Sequence, residues 1–430
     1  MILIKNGRVI DPASGLDELR DVLIDDDGRI AAIEACGEIE HKYSVENAEV
    51  IDATGNVVAP GFVDVHVHFR DPGLTYKEDI VTGARAAAAG GYTTVVCMAN
   101  TKPSIDSVEV FNEVYAREQK SHIHVLQAAN VTKGMQGAEL TDMVALKDAG
   151  AVGFTDDGVP IADEKLLLEA LKQCKELDVP ISLHEEDPEL MYSPGVNYGE
   201  VSRELGLGGA PEEAEYVLTA RDIMLNKEIG AKLDIQHISS AVTVELLRQA
   251  KSHGITVYGE VTPQHLAATE ELVRSKGSLA RVNPPLRTEG DRQALIAGVA
   301  DGTIDMIATD HAPHSAEEKA RDISEAPSGM IGLETALGLV LTHTYHKGLI
   351  PLETIIRALT INPARLYNID GGYLSVGGPG DVVIFDLDKE WIVPEHFASK
   401  ASNSPFIGDK LQGRVEYTIC KGQIVYSLAK

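Results

Sequence analysis

The chain has 430 residues, and its 38 lysines and arginines stand against 66 aspartates and glutamates, for a net charge of −28. Such a surface repels phosphate backbones and anionic bilayers, which argues against a nucleic-acid or membrane partner. Hydrophobic residues at 44% and charged residues at 24% are those of a globular protein, and no run approaches the ~20 apolar residues that cross a bilayer.

In chain order, residues 1–10 (MILIKNGRVI) read as strand, turn, strand. They lack the basic start, apolar stretch and cleavage site of a secretory signal, which predicts a cytoplasmic protein. Cys36, Cys97, Cys174 and Cys420 lie far apart with no CxxC pair. That spacing predicts buried free thiols and suggests neither a disulfide framework nor a thiolate zinc site.

From 59 to 366, short β-branched or apolar runs alternate with longer helix-like segments, as in a parallel sheet of βα units. Eight runs end near His68, Asn100, Asn130, Asp157, His184, His237, Glu260 and Asp310, each on a polar residue. Eight such units are the count of a (β/α)8 barrel. The alanine-rich stretch 78–89 predicts a helix stopped by Gly90 and Gly91. Residues 315–329, charged and bearing Pro and Gly, form the most loop-like insertion, where a lid would sit. Both ends read as strands with glycine turns, and LIKNGRVI at 3–10 resembles TICKGQIV at 418–425. The expected architecture is α/β: a TIM-type barrel over 59–366, and a small composite β-sandwich from 1–58 plus 367–430.

His66 and His68 are two apart on a predicted strand, so both face one side, with Asp64 below them. An HxH pair alone is equally compatible with two partly buried histidines. His184 and His237 end two further strands, however, and Asp157 and Asp310 end two more, so the barrel aims all six groups at one mouth. Four imidazoles and two carboxylates suit a borderline divalent ion such as zinc. Six ligands exceed one tetrahedral ion, and two ions sharing a carboxylate is the economical arrangement. Gly206, Gly208 and Gly209 match no phosphate-binding pattern and read as loop.

Five motifs in order, PGFVDVHVHFR at 60–70, MANT at 98–101, FTDDG at 154–158, NPPL at 283–286 and ATDHAPH at 308–314, resemble the class I dihydroorotases of the amidohydrolase superfamily. The resemblance implies that His66 and His68 bind the more buried of two ions, His184 and His237 the more exposed one, and that Asp157 bridges them while Asp156 holds the turn. Hydantoinases instead bridge with a carbamylated lysine, and 151–158 contains no lysine. Asp310 would be the metal-contacting general acid/base. Arg70, Asn100 and His314 would hold the substrate carboxylate; Asn283 and the backbone at Ser328 and Gly329 would contact the ring amides, with His68 bordering the same pocket. Two departures stand out: Ser328 where relatives often carry an aromatic residue, and Gln264 in place of a common histidine.

The implied reaction is the reversible hydrolysis of the cyclic amide of dihydroorotate to N-carbamoyl-aspartate by a bridging metal hydroxide, the third step of pyrimidine synthesis. Two rival readings are a hydantoinase- or allantoinase-like cyclic amidohydrolase, opposed by the missing lysine and by Arg70, and an inactive scaffold homologue, in which ligands should have been lost. The expected partner is a small molecule, with neither nucleic acid nor membrane. The sequence leaves open a homodimer, association with aspartate transcarbamoylase, the identity of the ion and the mobility of 315–329.

Overall fold

In the computed structural model, which describes residues 1–429, the chain opens with β1 (Ile2–Asp11), one continuous strand rather than strand, turn, strand. Asn6 takes the left-handed conformation at φ 60, and its amide donates to Asp21 Oδ1 at 2.7 Å. The register of β1 with β2 (Leu16–Ile24) shifts between Ile4 and Gly7. The Asn-Gly signal therefore makes a bulge, which bends a strand without reversing it. β3 (Ile30–Glu34), β4 (Glu49–Asp52) and β5 (Val57–Pro60) complete the N-terminal strands.

The barrel strands follow. β6 (Phe62–Val67), β7 (Tyr92–Cys97) and β8 (His124–Gln127) form one parallel block. β9 (Pro180–Leu183), β10 (Lys232–Ile235), β11 (Val257–Val261) and β12 (Met306–Ile307) form another. The fourth predicted run forms no strand of its own. Instead Phe154 bridges Ala129 on one side and Ile181 on the other, both in parallel. On the remaining seam Val67 bridges His311, the His68 amide donates to the His311 carbonyl at 2.9 Å, and the Asp64 carboxylate accepts from the Thr309 amide at 3.2 Å. These bridges carry the path of eight positions back to β6. Val63, Val65 and Val96 share one buried cluster with Met306 and Ala308, so the first, second and eighth positions pack together.

Except at Glu260, which lies within β11, the strands stop short of the polar residues expected to end them. His68, Asn100, Asp157, His184, His237 and Asp310 all lie just past the paired segments, where the backbone is free to aim them.

β13 (Val382–Ile392), β14 (Lys410–Cys420) and β15 (Gln423–Ser427) join the N-terminal strands in one sheet of order β15-β14-β13-β5-β1-β2-β3, with β4 also paired to β1. The sheet folds back on itself. The β2–β3 turn meets the β14–β15 turn so closely that a Cβ on Gly422 would lie 2.5 Å from Gly28 Cα. Both glycines have positive φ, 73 and 69, so neither position accepts an ordinary side chain. Ile2, Val9, Val22, Ile30, Val382, Ile384 and Ile419 form the core enclosed between these strands.

The helix after β6 runs Ile80–Ala89, two residues later than the expected start, because Asp79 caps it by accepting from the Val81 and Thr82 amides. Cys97, Cys174 and Cys420 are buried as expected, but Cys36 is exposed, in the turn that follows β3. Among the described residues no helix is long and apolar enough to cross a membrane.

Gly83 shows how this packing reaches the cleft. A Cβ there would lie 2.3 Å from the ring of Phe69, the residue between His68 and Arg70. Gly83→Ala, ordinarily a helix-stabilising change of ~1 kcal/mol, is expected to destabilise by about 1–3 kcal/mol through overpacking. A lowered denaturant midpoint at unchanged m-value checks it.

Candidate metal centre

Four histidines gather around one carboxylate at the C-terminal mouth of the barrel. His66 Nε2 lies 3.5 Å from Asp157 Oδ1, His68 Nε2 3.4 Å from Oδ2, His184 Nδ1 3.8 Å and His237 Nε2 3.7 Å from Oδ1. His66, His68 and Asp157 form one group able to hold a metal ion, and Asp157, His184 and His237 form a second. All five side chains are buried.

The outer nitrogens explain why the inner ones point as they do. His66 Nδ1 is 3.0 Å from Glu260 Oε2, His184 Nε2 is 3.0 Å from Glu186 Oε2, and His68 Nδ1 is 3.0 Å from Asn100 Oδ1. Each acceptor takes the ring N–H and leaves the other nitrogen's lone pair facing the cluster, the arrangement typical of metal-binding histidines; His184 Nδ1 and His237 Nε2 lie 2.9 Å apart there. His66 Nε2 is buried with no hydrogen-bond partner, a state that costs free energy unless something coordinates it. The donors therefore fit a metal. Burial opposes charge on Asp157, yet the imidazoles around it, His66 foremost, hold its carboxyl well below the usual range.

Asp310 Oδ1 lies 3.1 Å from His68 Nε2 and 3.7 Å from His66 Nε2, at the edge of both groups. Burial again raises its carboxyl, but the adjacent His68 and the other imidazoles pull it below its ordinary value. Asp156 points away: its Oδ1 accepts from the Val131 amide at 2.9 Å and from Asn130 Nδ2 at 3.2 Å. The neighbouring aspartates thus divide into one that faces the imidazoles and one that holds the turn.

A cavity of about 190 Å³ brings the expected residues together, with His68, Arg70, Asn100, Asp157, His184, His237, Asn283, Asp310, His314, Ser328 and Gly329 all in its lining. His66 lies beneath them. Arg70 has no carboxylate within ion-pair distance among the described residues; its Nε reaches only the Pro313 carbonyl at 3.4 Å. Asn283 Oδ1 is buried without a partner. The Asn100 amide, by contrast, is spent on the centre, donating to Asp157 Oδ2 at 3.0 Å while accepting from His68.

His314 Nε2 donates to the Ser328 carbonyl at 2.8 Å, and its Nδ1 accepts from Lys77 at 3.2 Å. Burial, with Arg70 and Lys77 nearby, pushes its pKa to about 3, so the ring is neutral. The Gly329 carbonyl accepts from Lys319 Nζ at 3.0 Å and from Asn403 Nδ2 at 3.2 Å. Lys319 thereby ties the start of the 315–329 segment to its end. Gln264 is buried and donates to the Thr309 carbonyl at 3.1 Å, a structural role.

Sequence reasoning missed Glu260, Glu186 and Lys77. Glu260 did end a predicted strand on a carboxylate, as the ligands do, and that was a usable signal. Nothing in the sequence separates Glu186 from its acidic neighbours Glu185 and Asp187.

Comparison with known proteins places this geometry. Residues 55–243 match the dihydro-orotase-like family model and residues 326–426 an amidohydrolase family model. The chain is 55% identical over 427 residues to a dihydroorotase of Clostridioides difficile, covering 99% of this chain and 100% of that one. It is 54% identical to a dihydroorotase of Clostridium acetobutylicum, covering 99% of each. Among solved structures it is similar to an L-hydantoinase (dihydropyrimidinase) from Arthrobacter aurescens, with a TM-score of 0.87 at 28% identity over 99% of this chain and 96% of that one.

Glu260→Gln keeps the size of the side chain but weakens the acceptor behind His66. Metal affinity is expected to fall about 10- to 100-fold, read by competition with a chelator, while the far-ultraviolet circular dichroism stays as in the parent.

Proposed function

The chain belongs to the dihydroorotase family of amidohydrolases, and from that premise we propose how its residues carry out the reversible hydrolysis of dihydroorotate to N-carbamoyl-aspartate, a step of pyrimidine biosynthesis. The observation that carries the reading is Arg70: an arginine with no carboxylate partner among the described residues, facing the same cavity as the imidazole cluster and Asp310. An unpaired guanidinium in a cleft is suited to bidentate capture of a carboxylate, and the substrate supplies one.

His66 and His68 would hold one ion and His184 and His237 a second, with Asp157 shared; nitrogen and oxygen donors of this kind suit zinc. Divalent ions bound there lower the pKa of water from ~15.7 toward ~7 and polarise a carbonyl. Arg70 grips the substrate carboxylate and fixes the ring. Asn283 Oδ1, otherwise unpartnered, accepts from a ring N–H. Asp310 takes the proton of the water whose oxygen adds to the ring carbonyl, and returns it to the ring nitrogen as the C–N bond breaks. In the closing direction the same carboxylate removes the proton from that nitrogen. Asn100 orients both His68 and Asp157. The three buried free thiols fit a reducing compartment, and we place the protein in the cytoplasm.

The structural likeness to hydantoinases favours a second cyclic-amide substrate, but Asp157 occupies the position where those relatives would need a lysine. Purified protein is expected to turn over dihydroorotate in preference to a hydantoin; preference for the hydantoin would overturn the substrate assignment. Asp310→Ala should lose about 100- to 10,000-fold in kcat while keeping its metal content by elemental analysis. Arg70→Ala should raise KM about tenfold or more, the loss of a charge-assisted hydrogen bond worth ~1.5–3 kcal/mol, as measured by initial rates over a substrate series.

A further inference from the structure

The fold brings three metal-ligating side chains together far from the cleft. His124 opens β8, Asp381 immediately precedes β13, and Cys420 ends β14, so the group lies at the N-terminal end of the barrel strands, opposite the imidazole cluster. One ligand atom from each lies within 4.8 Å of the others. His124 Nε2 is 3.0 Å from Asp381 Oδ2. The other carboxylate oxygen, Oδ1, accepts from the Lys421 amide at 2.8 Å, which orients the carboxyl and leaves Oδ2 facing the imidazole. Cys420 Sγ contacts the Thr93 carbonyl at 3.5 Å; burial, and then the adjacent Asp381, raise its thiol pKa, so the sulfur is a thiol until a metal displaces its proton.

Access and charge both suit a cation. Cys420 and Asp381 are buried, whereas His124 is 38% exposed and lines an open cavity of about 470 Å³. A thiolate and a carboxylate together neutralise a divalent ion, and an imidazole completes a three-ligand face with the fourth position open to solvent. The neighbouring ammonium of Lys421 is engaged with the Ser121 and Ile123 carbonyls, at 3.4 and 3.2 Å. Sulfur, nitrogen and oxygen donors in a small tetrahedral set select zinc among the common divalent ions.

We propose that His124, Asp381 and Cys420 bind one zinc ion, with solvent as the fourth ligand, and that this ion clasps the start of the third barrel strand to the terminal sheet. On binding, the Cys420 sulfur exchanges its proton for the metal, and the proton leaves to solvent. No local CxxC spacing announces the site, because its ligands come from three distant parts of the chain.

Cobalt(II) distinguishes this site from the catalytic centre, whose donors are nitrogen and oxygen alone. Full-length protein carrying Cys36→Ser, to remove the exposed thiol, is expected to show a thiolate-to-cobalt charge-transfer band when loaded with cobalt(II). Adding Cys420→Ser should abolish the band, and adding His124→Ala, at a partly exposed position that tolerates truncation, should weaken or abolish it. Zinc-loaded protein should hold one ion more per chain than either of those variants, with dihydroorotate turnover retained in all. Absence of the band at saturating cobalt(II), or the same zinc content with and without His124→Ala, would overturn the proposal. Neither readout depends on which ring the cleft hydrolyses.

Discussion

The cleft is organised by one buried carboxylate and the four imidazoles that converge on it. Burying Asp157 away from water is costly for its charged form, and four rings packed together with their lone pairs facing inward would leave unsatisfied nitrogens. Neither is stable alone. Compensating groups stand behind three of the four rings: Glu260 behind His66, Glu186 behind His184, and Asn100 touching both His68 and Asp157, whereas His237 Nδ1 is buried without a partner. These acceptors set the tautomers of those three rings, and the tautomers set which nitrogen faces the centre.

That demand explains where the backbone departs from regular geometry. Arg70, His237 and Asp310 are non-glycine residues with positive φ, at 59, 32 and 47, a conformation that costs on the order of 1–3 kcal/mol each. All three stand just beyond a barrel strand and line the same cavity. A strand that simply continued would carry these side chains past the mouth, so the chain turns sharply at its exit. The seam between β6 and the segment after β12 keeps those turns in place, with Asp64 accepting from the amides of both His66 and Thr309.

The barrel and most of the centre were legible in the sequence because both rest on local signals. Period-two alternation places His66 and His68 on one face, and strands that end on His or Asp reveal the mouth of the barrel. What escaped was whatever depends on distant segments meeting. The Lys-Asn-Gly at the start reads as a turn, yet Asp21 captures the Asn6 amide and converts it into a bulge. The fourth strand position survives as a pair of bridges at Phe154, too brief to be told from a loop. The four cysteines argue against a thiolate site by their spacing, whereas folding sets Cys420 beside His124 and Asp381. Asn100 is recognisable as a cleft residue, but that its amide is already engaged by His68 and Asp157 is visible only once the first, second and fourth positions of the barrel are side by side.

The electrostatics of the cleft run against those of the chain as a whole. A net charge of −28 would repel an anionic substrate if its field acted uniformly, but exposed charges are screened beyond roughly 10 Å at ordinary ionic strength. Within that radius the cleft carries Arg70, without a carboxylate partner among the described residues, and Lys77, bonded to His314 and paired with Glu318 at 3.1 Å. Lys319 lies behind them, its ammonium pushed by burial, and then by Arg281, to a pKa of about 7. Asp157 and Asp310 are negative, but they face the imidazole groups able to hold a metal ion. A small acid therefore meets the unpaired guanidinium of Arg70 inside an acidic molecule, while the surrounding negative surface disfavours the larger polyanions that a uniformly basic protein would collect.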